Sequence, residues 1–122
     1  MDHFEHERLD VYKAAIAFLA VVDEILEHLP KGRGHLADQL ERAATSVLLN
    51  IAEGAGEFAG NEKARIYRIA RRSATECAAI LDVCRARKLV AGPRLDVGHD
   101  LLVRIVAMLT RMILNSTDKA RA

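Results

Sequence analysis

Within the stretch KARIYRIARR, Lys63, Arg65, Arg68, Arg71 and Arg72 follow one another with no acid between them. On a helix, Arg65, Arg68 and Arg72 recur at three and four residues and share one outer face. Lys63 and Arg71 extend that face. Cations held this way can contact phosphates, the chemistry behind sequence-independent nucleic-acid binding. The other reading is a solvated or acid-paired face, with Arg72 and Glu76 available as an i, i+4 pair. Tyr67 is the one aromatic in the stripe, too little interleaving for base stacking. Arg85, Arg87 and Lys88 repeat the basic theme further along.

The stretch LLNIAEGAGE, residues 48–57, poses a different problem: an amide and a carboxylate arrive where an apolar helix face is ending. Asn50 lies about 60° from Val47 on a helical wheel, at the edge of the core, and Glu53 lies further out on the same flank. On the next helix Ser73 lies on the apolar stripe and Glu76 flanks it. Buried amides and carboxylates need partners. Asn50, Glu53, Ser73 and Glu76 are therefore expected to form a polar seam between helices or between subunits, fixing register. The alternative is a ligand or metal site. Gly54 is expected to end the helix, as glycine does at helix C-termini.

Catalytic patterns are missing. A di-iron bundle needs Glu-x-x-His on two helices, but Gly56 follows Glu53 at that spacing and Ala79 follows Glu76. GAGEFAG lacks the Lys-Ser/Thr of a phosphate loop. His3 and His6 sit near the terminus, and His28, His35 and His99 sit near expected helix ends. No enzyme, metal or cofactor is expected. Cys77 and Cys84, seven residues apart, would lie about 10 Å apart along one helix. That is too far for a disulfide, so both are expected as buried thiols.

The elements that position these residues follow from the breakers. Residues 30–34 (PKGRG), the glycines from Gly54 to Gly60, and Gly92-Pro93 divide the 122 residues into four periodic segments. Val11, Ala15, Phe18, Val22, Ile25 and Leu29 mark one helix face. Leu36, Leu40, Ala43, Val47 and Ile51 mark a second. Ile66, Ile69, Ser73, Cys77, Ile80 and Cys84 mark a third, with Asn61 as the expected N-cap. Leu102, Ile105, Leu109 and Met112 mark the fourth, whose start Gly98 weakens by roughly 1 kcal/mol. The expected fold is all-α: one domain over residues 1–122, an antiparallel up-down-up-down four-helix bundle with helices at about 10–29, 35–53, 62–89 and 94–115. Residues 1–7 and the tail from Thr117 are expected to be loose.

Hydrophobic residues make up 51% of the chain but aromatics only 4%, so aliphatic side chains must build the core. No run is long enough to span a membrane. The N-terminus has no secretory h-region, so a cytoplasmic location is expected. The net charge of +1 hides an asymmetry. Residues 1–62 carry five basic and twelve acidic side chains; residues 63–122 carry thirteen and five. Around Leu48 and Leu49 the second helix is apolar almost all round, which calls for cover by a partner subunit. A closed homo-oligomer joined head to tail suits the charge split.

The chain also resembles the four-helix-bundle proteins encoded by intervening sequences of bacterial 23S rRNA genes. The resemblance rests on Phe4 and Leu9-Asp10-Val11, on Gln39, Arg42, Ala43 and Ser46, on Asn-Ile-Ala-Glu-Gly at residues 50–54, and on Ile69, Ala70, Arg71, Ser73 and Glu76. It covers roughly residues 4–115. It implies a homopentameric barrel of four-helix subunits. A related group, the accessory proteins of diversity-generating retroelements, binds nucleic acid and a reverse transcriptase, so RNA, DNA or such an enzyme are implied partners. Two departures remove positive charge: Glu41 stands where the family often has arginine, and Glu57 where a basic residue often follows the glycine. A nucleic-acid-binding oligomer and an oligomeric scaffold without nucleic acid are the two functional expectations.

Overall fold

A computed structural model describes residues 4–121, with side chains as far as Thr117. His3 lies outside the described residues. After a short 3₁₀ turn at Glu5–Arg8 come four helices: α1 (Asp10–His28), α2 (Gly34–Ala55), α3 (Gly60–Ala86) and α4 (Gly92–Arg121). Among the described residues there is no strand. The fold is a four-helix bundle.

α1 forms where expected because its large apolar residues keep strict helical spacing. Val11, Ala15, Phe18, Val22 and Ile25 are buried. In α2, Leu40, Ala43, Val47 and Ile51 are buried as expected, joined by Ala44. In α3, Ile66, Cys77, Ile80 and Cys84 are buried as expected, Ile69 and Ser73 are half-buried, and the buried face is wider than the expected stripe, taking in Ala64, Tyr67, Ala70, Ala74 and Leu81. The core is one cluster fed by all four helices. Each helix packs against its sequence neighbours, and α1 also packs against α4. Gly98 is more than a weak helix residue. A Cβ there would lie 3.1 Å from Leu81 Cδ1 and 3.4 Å from Val21 Cγ1, so the missing side chain lets α1, α3 and α4 converge.

Several boundaries differ from expectation. α2 runs through Gly54 to Ala55. Asn61 is not the N-cap of α3. That position is Ala59, which makes no side-chain cap bond. Instead Glu57 Oε1 accepts from the backbone N–H groups of Phe58 (3.1 Å) and Ala59 (3.3 Å). α3 ends at Ala86 rather than near 89, because Lys88 turns left-handed at φ 55°. Lys88 N–H then donates to Arg85 C=O and Leu89 N–H to Cys84 C=O, closing the turn in the Schellman pattern. Residues 5–8 form the 3₁₀ turn, where the ring of His6 lies between Phe4 and Tyr12 at centroid distances of 5.7 and 4.6 Å. α4 continues past Thr117 to Arg121.

Candidate nucleic-acid interface and polar seam

The five cations of KARIYRIARR do not act as one free surface. Lys63 reaches back to the end of α2, where its Nζ donates to the carbonyls of Gly54 (2.7 Å) and Ala55 (3.2 Å). It also sits 5.6 Å from the Tyr67 ring centroid. An ammonium here adds to the turn bond that Gly54 C=O accepts from Glu57 N–H at 3.2 Å and meets the negative end of the α2 dipole. Arg65 grips Glu62 of its own helix through Nε at 3.0 Å and Nη2 at 2.5 Å. That bond holds the Glu62 carboxyl below its usual value and the guanidinium above its own. Arg71 lies between helices and donates from Nη1 to Thr110 Oγ1 of α4 at 3.2 Å. Arg68 and Arg72 are exposed, and among the described residues no ion pair engages either. The Arg72–Glu76 pair that the spacing made available is therefore not formed. Tyr67, read as part of this face, is buried in the core.

Of the four residues expected in a polar seam, Asn50 and Ser73 join one hydrogen-bonded group with Ser46. Ser46 Oγ and Ser73 Oγ meet at 2.8 Å across the α2–α3 contact. Asn50 Nδ2 donates to Ser46 C=O at 2.8 Å and to Ser46 Oγ at 3.1 Å. One amide thus anchors a hydroxyl pair that links two helices. Glu53 and Glu76 are not in it. Both are exposed, so neither needs an internal partner. Ser46 is the member that spacing did not single out, although its place four residues before Asn50 put it within reach.

The outer face of α2 carries an open depression of about 850 Å³ that takes in Ser46 and Asn50 and is also lined by Asp38, Glu41, Arg42, Thr45, Leu49 and Glu53. Leu49 is 60% exposed within it. Leu48 is half-buried and packs against the chain's own core.

Gly54 is buried against the ring of Tyr67. A Cβ there would fall 2.6 Å from Tyr67 Cε1, so only glycine lets the two helices approach this closely. Its role is contact rather than helix ending, and the C-cap residue is Gly56. Among the described residues, no group of three His, Cys, Asp or Glu side chains could hold a metal ion. Cys77 and Cys84 are buried free thiols. Burial pushes Cys77 up to about 12, and Cys84 upward as well. Among the described residues no helix is long and apolar enough to cross a membrane.

The family model described as 23S rRNA-intervening sequence protein matches residues 7–111. The chain belongs to this family. The match starts inside the 3₁₀ turn and ends in α4, so it takes in the Asn50–Ser46–Ser73 group, the close contact at Gly54 and all five cations of KARIYRIARR. No curated protein matches the chain.

Proposed function

We propose that this member of the 23S rRNA-intervening sequence family is a non-enzymatic, closed homo-oligomer of up-down-up-down subunits that binds RNA or DNA through exposed basic side chains. The observation that carries the binding reading is the pair Arg68 and Arg72 on α3. Both are exposed, one turn apart, and no carboxylate among the described residues pairs with them. Exposed guanidinium groups in this arrangement suit phosphate contact.

The antiparallel topology is supported by the contacts along the helices. Ser46 meets Ser73 while Gly54 meets Tyr67, so numbers rise on α2 as they fall on α3. The oligomer is supported by Leu49, an apolar side chain exposed on a face of mixed charge. A pentamer is the size that family resemblance suggests.

A scaffold without nucleic acid is the second reading. It draws on the engagement of Lys63, Arg65 and Arg71 within the subunit, which leaves two of the five cations of KARIYRIARR for a partner. Replacing Arg68 and Arg72 with Ser separates the two. On the nucleic-acid reading, affinity falls similarly for all sequences, and each lost contact lowers the log–log salt slope by about 0.7 to 0.9. On the scaffold reading, the parent binds neither RNA nor duplex DNA even at low salt.

A further inference from the structure

The two loops at one end of the bundle contain no acid. Residues 28–37 carry Lys31 and Arg33 with His28 and His35; residues 83–95 carry Arg85, Arg87, Lys88 and Arg94. The fold brings these loops together. A depression of about 270 Å³ is lined by Gly32, Arg33 and His35 from the start of α2 and by Val83 and Arg87 from the end of α3. Two of the cations here are already paired: Arg85 with Asp96 at 2.6 Å, and Arg94 with Glu24 at 3.9 Å. Among the described residues no ion pair engages Lys31, Arg33, Arg87 or Lys88. Glu27, Asp38 and Asp82 stand on the adjoining turns, all exposed.

We propose that this basic end of the bundle is a phosphate-contacting surface for a nucleic-acid backbone, with Lys31, Arg33, Arg87 and Lys88 as its contacts. The proposal rests on the nucleic-acid reading above and moves most of the binding from the side of α3 to the end of the bundle. Three considerations choose the occupant. A lipid surface would favour exposed aromatic side chains beside the cations. The two exposed phenylalanines lie elsewhere: Phe58 lines a depression shared with Glu5 and Lys63, and Phe4 adjoins Glu5 in the 3₁₀ turn. A second copy docking its acidic residues here would rely on exposed ion pairs, each worth about 0–1 kcal/mol or less. A polyanion draws affinity from exposed, hydrated cations of this kind, because each neutralised phosphate releases counterions.

The test uses the intact oligomer, a single-stranded RNA and a duplex DNA, titrated at several salt concentrations with light scattering on each sample. The end variant combines Lys31→Ser, Arg33→Ser, Arg87→Ser and Lys88→Gly, all at residues outside the core. The side variant is Arg68→Ser with Arg72→Ser. Arg33→Glu alone guards against misfolding of the multiple variant. The end variant should lose at least about tenfold in affinity at 0.1 M salt, more than the side variant loses, with a shallower salt slope and unchanged oligomer size. Arg33→Glu should lose affinity in the same direction. If the end variant binds like the parent while the side variant is weakened, the basic end is not the site and the α3 reading stands. If the parent binds no nucleic acid, both readings fall. If the end variant changes oligomer size and leaves affinity unaltered, the end is a contact between copies and the proposal is overturned.

Discussion

A Cβ on Gly54 would meet the Tyr67 ring at 2.6 Å, and the ring is locked inside the core. Gly54→Ala should therefore destabilise the fold by about 1–3 kcal/mol, read as a lower denaturation midpoint, because one of the two helices must move. Spacing suggested a helix stop at this residue, since a glycine before a loop usually is one. The side chain that decides its role comes from the other helix and leaves no local mark. Lys88 presents the opposite case. It holds φ 55° without being glycine. Lys88→Gly should stabilise by about 1 kcal/mol, because the left-handed conformation costs an L-residue roughly that much. A lower melting temperature for that variant would mean that the lysine side chain supplies more than the turn costs.

At the scale of the helix pair, the α2–α3 contact is held by the Ser46–Ser73 hydroxyl pair and by Asn50. Ser73→Ala should cost about 1 kcal/mol by leaving the Ser46 hydroxyl short of a partner, whereas Glu76→Ala, at an exposed site, should be near neutral in the same melting experiment. Half of the seam was legible in the residues alone. Asn50 and Ser73 flank or occupy apolar stripes, and polar residues there must be satisfied. Glu53 and Glu76 lie further round, and a wheel cannot tell a flanking carboxylate from an exposed one when the neighbouring residues are alanines. The same softness hid the full width of the α3 face. α1 is fixed by Phe18, Val22 and Ile25, but α3 packs through Ala64, Ala70 and Ala74, whose small side chains give spacing little contrast. The α3 thiol carries a pH prediction. Cys77 is raised from 9.0 to about 12 by burial, so folding favours the neutral thiol. That contribution is complete below about pH 9 and is lost as the pH climbs toward 12, where the unfolded chain holds the thiolate. Stability should fall across this window, and Cys77→Ala should flatten the fall.

For the whole molecule, the four-helix class was legible because breakers separate long periodic segments. The use of charge was not, because a one-dimensional stripe cannot show which cations turn inward. Lys63 caps α2, Arg71 bridges to α4, and the exposed cations gather partly at the bundle end. Assembly carries its own test. Leu49→Lys should split the proposed oligomer into smaller species by placing an unpaired charge in the proposed contact. A parent that scatters light as a monomer at micromolar concentration would remove the ring. The most direct test of the account is a titration of the parent protein with single-stranded RNA across a salt series. With five exposed cations, Lys31, Arg68, Arg72, Arg87 and Lys88, and the half-buried Arg33 available to phosphates, the log–log slope should be about −3 or steeper, with little dependence on sequence. No binding at about 50 mM salt, or an affinity that stays constant up to about 200 mM, would contradict a phosphate-binding role.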